Sequence, residues 1–200
     1  MSVKLTYFNL RGRGEPCRVL LAYAGIKWED ERIPPPWDPA TPWPTLKPKT
    51  PFGQLPLLTW EGETISQSMA CSRFLAKQAG LAGRTYLEQA QADEIVDVVQ
   101  DLNNKMVSLY FTKDEEVMKK FREVTRAAAL ANLEKKLESR GGQHFAGNAL
   151  TWADTHVFLY LSEQEPGLTE KYPKLADLKE RVGNIPNIKA WVESRPKTEV

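Results

Sequence analysis

The 200-residue sequence has no long hydrophobic run and no excess of charge of either sign. No stretch approaches the roughly eighteen apolar residues of a membrane-spanning helix, and the opening MSVKLTYFNL has no basic segment followed by a long apolar one. The 27 basic and 26 acidic side chains nearly cancel, whereas a nucleic-acid-binding protein or a polybasic membrane-binding surface has an excess of positive charge. We therefore expect neither secretion, nor a membrane span, nor a nucleic-acid partner.

Cysteine is also scarce. Cys17 and Cys71 are the only two, and they form neither a CxxC pair nor a spacing typical of a metal site. Without a secretion signal they are best explained as free thiols, because structural disulfides belong to oxidising compartments. The sequence therefore predicts a cytoplasmic protein.

The first part of the chain has the pattern of a small α/β unit. VKLTYF predicts a strand, GEPCRVLLAYAG a helix and KWEDERI a second strand. Residues 34–56 hold nine of the fourteen prolines and predict a long irregular connection. LPLLTW, the turn EGE, TIS and the helical SMACSRFLAKQAG follow. The order is βαβ and then ββα, with the first two strands parallel and the last two an antiparallel hairpin.

After the small-residue linker at 79–85 the hydrophobic period becomes helical and stays so. Three apolar stripes carry this pattern: Ile95, Val98 or Val99, Leu102, Met106 and Leu109; Phe121, Val124, Ala128 and Ala131; and Leu130, Leu133 and Leu137. Gly141 and Gly142 are predicted to end the third helix, and Thr151 with Asp154 to form a capping box. We therefore predict one domain at 1–79 and an all-helical domain at 80–200.

Six segments resemble the sigma-class glutathione transferases. They are YFNLRGRGEPCRVLLAYAG, TPFGQLPLL, ISQSMACSRFLAK, IVDVVQDL, LTWAD and IPNIKAWVESRP, and they extend over nearly the whole chain in the family's order. The resemblance implies a thioredoxin-like α/β N-terminal domain, an all-α C-terminal domain and a homodimer. It also implies a detoxification enzyme that conjugates the thiolate of glutathione, its co-substrate, to electrophilic and mostly apolar small molecules. Glutathione-dependent isomerase or peroxidase side activities belong to the same family.

Pro56 stands inside the predicted strand LPLLTW, although proline donates no backbone hydrogen bond and is confined to strand starts, edges and bulges. From the residues alone, a plain turn with a trans proline beside a solvated edge explains the pattern as well. The resemblance implies instead that the Leu55–Pro56 peptide is cis and that Leu55 keeps an unpaired N–H and C=O. The cysteinyl unit of glutathione would pair with Leu55 as a short antiparallel strand. Gly53 and Gln54 belong to the same implied binding segment.

Tyr7, at the end of the first predicted strand, is the catalytic residue that the resemblance implies, and Arg13 is the residue that supports it. Thiolates rather than thiols attack electrophiles, and a hydroxyl that donates a hydrogen bond to the sulfur stabilises the anion. Taken alone, RGRG could be a glycine-eased turn with solvated arginines or a fragment of an RGG-type nucleic-acid segment. A single copy in a neutral chain argues against the second interpretation.

Further contacts are implied for the two ends of glutathione. Gln67 and Ser68 begin a predicted helix whose free N–H groups and dipole favour the γ-glutamyl carboxylate, although a serine there also serves as a plain N-cap. Lys47 would bind the glycyl carboxylate, with Trp43 beside it. Trp37, in the unusually long and proline-rich PPPWDPATPW, competes for the role of Trp43. We favour Trp43 because WPTLKPKTPFG keeps the family's distance to PFG.

Asp97, on the first long predicted helix, is implied to reach the glutathione amine of the partner subunit across a twofold interface. Without the resemblance, a solvated helix face is the commoner place for an aspartate. Asp101 lies one turn further along the same face. A prostaglandin-converting member of the class gathers a divalent cation with three aspartates near this point. Gln100 stands at the middle position here, and because a neutral amide weakens a hard-cation site we expect no metal.

The pocket for the electrophile is implied to be lined by variable positions, so the sequence does not name that substrate. These positions are Leu10, Asn103, Met106, Val107 and Ser108, together with the C-terminal tail. Where the prostaglandin-converting relative has a large aromatic residue, Ser108 leaves a wider or differently shaped pocket.

Three other interpretations stay open. A glutathione-binding but weakly active relative, like the lens crystallins derived from sigma-class enzymes, would share the fold, although intact Tyr7 and Arg13 argue against it. A glutaredoxin-like oxidoreductase would react through Cys17. That residue lies inside a helical run rather than at the start of a helix in a CPxC motif, so we expect it to pack in the core. A non-enzymatic adaptor with this fold would not be retained on immobilised glutathione.

Overall fold

The computed structural model describes residues 2–110 and 114–198 and forms two compact units. One unit comprises Met1–Gly80 with Ile185–Val200, and the other Leu81–Asn184. The last residues are thus counted with the first unit, whereas the sequence predicts domains at 1–79 and 80–200. No helix in the described ranges is both long enough and apolar enough to cross a membrane.

The first unit is built on a four-stranded sheet. Its strands are β1 (Val3–Phe8), β2 (Glu29–Ile33), β3 (Leu57–Trp60) and β4 (Glu63–Ser66). The spatial order is β2-β1-β3-β4, in which β1 and β2 are parallel and the other neighbours are antiparallel. The predicted βαβ–ββα order and fold class are therefore confirmed.

Helices make up most of the remaining structure. They are α1 (Glu15–Tyr23), α2 (Trp43–Leu46), α3 (Ser68–Gln78), α4 (Tyr86–Tyr110), α5 (Glu115–Lys120), α6 (Ala127–Ser139), α7 (Trp152–Ser162), α8 (Pro173–Gly183) and α9 (Pro186–Ser194). The proline-rich connection at 34–56 is less irregular than predicted, because it contains α2 and a 3-10 turn at Lys47–Lys49.

Burial along the sheet follows from the place of each strand. β1 is an inner strand and is buried along most of its length, as its apolar sequence VKLTYF requires. Leu5 on β1 and Leu58 on β3 face each other in the ladder and are both fully buried. β2 is an edge strand with the charged sequence EDERI. Charged side chains on an edge discourage pairing with a second sheet.

In the second unit α7 is the central helix, because every residue from Trp152 to Leu161 is buried. Its predicted capping box is confirmed. The Thr151 N–H donates to Asp154 Oδ2 at 2.7 Å, and the Phe145 N–H donates to Oδ1 of the same carboxylate at 3.0 Å. The fully buried Asp154 therefore holds both the start of α7 and the loop before it.

The apolar stripe predicted from Phe121 to Ala131 is wrong. Phe121 is buried, but Val124 is 58% exposed and Arg126 takes the buried side. Residues Phe121–Arg126 form a π-helix, in which each turn is longer than in an α-helix and positions five apart share a side. An α-helical period therefore assigns the wrong residue to the core here.

Candidate functional site

Tyr7 lies near the end of β1 and is almost fully buried beneath the turn that follows it. A Cβ built on Gly14 would lie 2.5 Å from Tyr7 Cδ1, and one built on Gly12 would lie 2.9 Å from the Tyr7 hydroxyl oxygen. Gly12 also has a φ of +36°, which side-chain-bearing residues rarely adopt. The two glycines of RGRG are therefore required by the close approach of this turn to Tyr7.

The Tyr7 hydroxyl accepts a hydrogen bond from the backbone N–H of Arg13 at 3.0 Å. This bond occupies a lone pair of the oxygen, so the hydroxyl keeps its own proton to donate elsewhere. Burial raises the pKa of the Tyr7 hydroxyl, while the Arg13 N–H and the charges of Arg13 and Arg18 oppose that shift. Tyr7 is thus a neutral hydrogen-bond donor at neutral pH.

Arg18, on α1, is a residue of the site that the sequence interpretation missed. It is fully buried, and its guanidinium carbon lies 5.7 Å from the centroid of the Tyr7 ring. The signal was present in the sequence, because Arg18 stands one helical turn before the buried Leu21 and so falls on the apolar stripe of α1. A charge in such a stripe needs partners inside the protein.

The predicted cis peptide between Leu55 and Pro56 is confirmed. The ladder between β1 and β3 ends at the pair Thr6 and Leu57, so Tyr7 stands level with Pro56 at the same end of the sheet. Leu55 precedes the strand, which begins at Leu57, two residues later than the predicted LPLLTW. Within residues 2–110 and 114–198 its N–H and C=O have no hydrogen-bond partner. A main-chain edge able to pair with an extended peptide therefore lies beside the catalytic candidate.

The start of α3 lies beside the same segment. No side chain caps this helix, so its first N–H groups are available. Gln67, just before the helix, has the positive φ of 72°, which is uncommon for a residue other than glycine. Its side-chain amide donates to Gln54 Oε1 at 3.2 Å, and Ser68 is buried. The structure therefore brings Gln54, Gln67 and Ser68 together.

Trp43 lies against the chain neighbour of Tyr7, and Lys47 lies beside the predicted site residue Gly53. The Trp43 ring meets Phe8, the neighbour of Tyr7, edge to face at a centroid distance of 5.3 Å. The Lys47 side chain passes Gly53, with Cε 3.5 Å from the position of a Cβ on that glycine. Trp37, in contrast, is 68% exposed. These placements favour Trp43 over Trp37, although which tryptophan contacts a ligand stays a prediction.

Asp97 lies on α4, in the second compact unit, and its side chain is exposed. α4 buries the opposite face, with Val96 and Val99 fully covered. Neither hydrogen bonds nor ion pairs join Asp97 to another described residue. Its role toward a partner subunit stays a prediction.

The residues predicted to line the pocket for the electrophile belong to both units. Leu10 follows β1 and is half-buried, and its carbonyl accepts a bond from Arg18 at 2.6 Å. Asn103 and Met106 on α4 are half-buried, whereas Val107 and Ser108 are exposed. A shared pocket for these five residues stays a prediction.

Cys17, the thiol of the glutaredoxin-like alternative, is not placed to react. Cys17 and Cys71 are both free and fully buried, and Cys17 Sγ lies 3.4 Å from Ser72 Oγ. The neighbouring Cys71 and complete burial hold the pKa of the Cys17 thiol well above its ordinary value. In the part of the chain that the structure describes, no three His, Cys, Asp or Glu side chains come together as metal ligands would.

Comparisons with known proteins place the chain in a family. Residues 3–77 match the family described as glutathione S-transferase, N-terminal domain, and residues 100–195 match glutathione S-transferase, C-terminal domain. The chain is 43% identical to the hematopoietic prostaglandin D synthase of Gallus gallus over 203 residues, 98% of each protein.

Solved structures extend the likeness to the fold. The glutathione S-transferase of Ascaris lumbricoides superposes with a TM-score of 0.85 at 39% identity over 99% of both chains. One from Necator americanus, described as monomeric, superposes with a TM-score of 0.88 at 32% identity over 100% of both chains. The sheet, the unpaired Leu55 edge and these matches together show that the chain belongs to the glutathione S-transferase family.

Proposed function

We propose that the chain is a sigma-like glutathione transferase in which Tyr7 activates the thiol of glutathione for attack on an electrophile. The observation that carries the proposal is the Tyr7 hydroxyl, which accepts the Arg13 N–H and so retains a proton for a sulfur atom. The buried, fully covered Cys17 supports this reading over one in which the protein's own thiol reacts. The two free thiols also support action in a reducing, cytosolic setting.

The chemistry is the stabilisation of an anion. A free cysteine thiol has a pKa near ~8.5, so little thiolate exists at neutral pH. A hydrogen bond from Tyr7 to the sulfur favours the ionised form, and each pKa unit of lowering corresponds to about 1.4 kcal/mol. The thiolate then forms a carbon–sulfur bond with the electrophile, which loses its leaving group or, in an addition, takes up a proton.

The remaining site residues would hold the ends of glutathione. Leu55 offers an N–H and a C=O to the cysteinyl unit as an added strand. The uncapped start of α3, at Gln67 and Ser68, suits the γ-glutamyl carboxylate. Lys47 suits the glycyl carboxylate, since it has no carboxylate partner within the described ranges.

We also propose a homodimer in which Asp97 reaches the glutathione amine of the partner subunit. Its exposure on α4 supports this role, and so do the exposed apolar side chains at the start of the same helix, Tyr86 and Leu87. A desolvated carboxylate beside an ammonium makes a strong charge-assisted hydrogen bond.

The second substrate is an electrophilic, mostly apolar small molecule. On α4, the half-buried Met106 and the exposed Val107 would supply apolar surface for it. The same thiolate can also serve isomerisation or peroxide reduction, and the chicken relative is named for a prostaglandin synthase activity. Ser108 is small for such a pocket, so conjugation is the activity that we place first.

Replacement of Tyr7 by phenylalanine tests the proposal. Glutathione affinity should stay near that of the wild type while turnover of a generic aryl halide falls about ten- to a thousandfold, because one donor to a charged acceptor is lost. Ultraviolet titration of bound glutathione reads the thiol pKa directly. Tyr23→Phe, on α1 of the same unit, is the matched control. An unchanged thiol pKa in Tyr7→Phe would show that Tyr7 does not activate the thiol.

Retention on immobilised glutathione separates the other interpretations. A transferase and a weakly active crystallin-like relative would both be retained, whereas a non-enzymatic adaptor would not. Turnover of the aryl halide then distinguishes the first two, and the relatives, which are named as enzymes, favour the transferase.

A further inference from the structure

Arg18 is buried without any exposure directly behind the Tyr7 ring. A buried guanidinium is tolerated only when its donors are paired. Arg18 Nε donates to Asp30 Oδ1 at 2.9 Å, and Nη1 lies 3.4 Å from Glu15 Oε2. Nη1 also donates to the carbonyl of Leu10 at 2.6 Å, and Nη2 donates to that of Phe8 at 3.5 Å. The guanidinium therefore also holds the main chain immediately after Tyr7.

Glu15 connects this arginine to the C-terminal tail. Only 1% exposed, it directs Oε2 to Arg18 and Oε1 to two residues of the tail. Trp191 Nε1 donates to Oε1 at 2.8 Å, and Arg195 Nη1 donates to it at 2.6 Å. The carboxylate is thus shared between α1 and the end of the chain.

The charges of this cluster alternate. Ion pairs join the side chains in the order Arg195, Glu15, Arg18, Asp30 and Arg32. In the last pair, Arg32 Nε lies 2.6 Å from Asp30 Oδ2. Three positive and two negative groups leave one positive charge. Without Arg195 the row would be neutral, and Glu15 would cancel more of the Arg18 field. Arg195 therefore decides whether a net positive charge remains behind Tyr7.

The tail is held in this place by contacts that do not involve Glu15. Ile188 on α9 is fully buried, and the Trp191 ring meets Trp28 at a centroid distance of 5.3 Å. Asn187 Nδ2 donates to the carbonyl of Tyr23 at 3.2 Å. These contacts anchor α9 within the first unit and so fix the position of Arg195 next to Glu15.

We propose that Arg18 is a positioning residue for Tyr7 and that Trp191 and Arg195, through Glu15, make the C-terminal tail part of the machinery that acidifies the glutathione thiol. The inference rests on the proposed function of Tyr7. A positive charge behind the ring strengthens the hydroxyl as a donor and stabilises a thiolate in front of it.

Other charged and titratable groups also lie around Tyr7. Arg13 precedes α1, Cys17 and Arg18 lie on α1, and Arg32 stands opposite Tyr7 in the β1–β2 register. The charge of Arg13 acts in the same direction as that of Arg18, whereas Cys17 is a neutral thiol in the core. A change at Arg195 leaves all four in place, so its effect reports the tail alone.

The experiment compares Arg195→Gln with Arg195→Lys. The glutamine variant removes the charge, and the lysine variant keeps it. We measure the ultraviolet titration of the thiol of bound glutathione and the pH profile of kcat at saturating glutathione. Arg195→Gln should raise the thiol pKa by about half to one unit, so that kcat at pH 6.5 falls about three- to tenfold and approaches the wild type near pH 9. Arg195→Lys should restore most of the loss.

Two further variants guard against a merely structural effect. Trp191→Phe removes one N–H donor to Glu15 and keeps an aromatic side chain, and it should shift the thiol pKa in the same direction by a smaller amount. Asn187→Ala loosens the same helix without touching Glu15, and it should lower the melting temperature while leaving the thiol pKa unchanged.

Each contrary outcome has its own meaning. An Arg195→Gln protein that titrates like the wild type, or an Asn187→Ala protein that shifts as far as Arg195→Gln, overturns the role of the tail. Tyr7→Phe is titrated in the same series. If Tyr7→Phe shifts the thiol pKa and Arg195→Gln does not, only the inference about the tail is wrong. If Tyr7→Phe has no effect, the proposed function fails as well.

Discussion

Gly14→Ala is the smallest change that should displace Tyr7. The Gly14 backbone has φ −85° and ψ −25°, which alanine adopts without strain. The substitution therefore adds one methyl group and nothing else. That methyl carbon would lie 2.5 Å from Tyr7 Cδ1 and 2.8 Å from Cγ, whereas ordinary contacts begin near 3.4 Å. The ring or the turn must move by roughly 1 Å.

The magnitude follows from that displacement. Overpacking of this kind costs about 1–3 kcal/mol of folding free energy. A shift of about 1 Å in a catalytic group lowers activity about a hundredfold. The bond from the Arg13 N–H to the Tyr7 hydroxyl, 3.0 Å long, lengthens or breaks in the same movement. We therefore expect kcat for an aryl halide to fall about thirty- to three-hundredfold and the thiol pKa of bound glutathione to rise.

Gly183→Ala is the matched control for this change. A Cβ there would lie 3.1 Å from Phe158 Cε2, far along a side chain of the other compact unit. It should lower the melting temperature slightly and leave the thiol pKa and kcat at the wild-type values. A Gly14→Ala protein that melts early but keeps the wild-type thiol pKa would refute the view that the placement of Tyr7 sets the acidity of the thiol.

Three more predictions concern the dimer, the helical unit and acid stability. Asp97→Asn should weaken glutathione binding roughly ten- to a hundredfold and leave the dimer intact. If Asp97 acts across the interface, a mixed dimer of one Asp97→Asn subunit and one Tyr7→Phe subunit should regain activity at one of its two sites. A mixed dimer without any recovery of activity contradicts that role. Thr151→Ala should lower stability by about 0.5–2 kcal/mol without changing KM for glutathione, so a loss of activity at unchanged melting temperature would oppose a purely structural role. Burial lowers the pKa of His156 from 6.5 to about 4. Between these two pH values the unfolded chain binds a proton that the folded chain does not, so about 3 kcal/mol of stability should be lost as the pH falls from 6.5 to 4. In denaturant melts, His156→Gln should make stability less dependent on pH over this range.

The sequence predicts those features that local pattern controls. β1 has the bounds that VKLTYF suggests, because a buried strand between polar turns is visible in the residues themselves. The capping box at Thr151 and the glycines that end α6 are also local signals, and both are present, with Gly141 and Gly142 at positive φ.

Features that depend on contacts between residues far apart in the sequence cannot be predicted from local patterns. Glu15 accepts hydrogen bonds from Trp191 and Arg195, which lie 176 and 180 positions further along the chain. No local sequence pattern predicts these contacts. The π-helix at Phe121–Arg126 is missed for another reason, since an apolar period of three and four residues is assumed in advance. The positive φ of Gln67 is likewise hidden, because glutamine carries no preference for it.

In the proposed function, the uncapped start of α3 makes glutathione a structural component as well as a reactant. α3 leaves its first N–H groups open. The proposed γ-glutamyl carboxylate would complete this helix start, so the helix would gain stability only while glutathione is bound. At about a hundredfold excess over the dissociation constant this gain is roughly 2.7 kcal/mol. The folded fraction of the protein would then follow the cell's glutathione level, so that depletion of the reductant both starves the enzyme of substrate and shortens its lifetime.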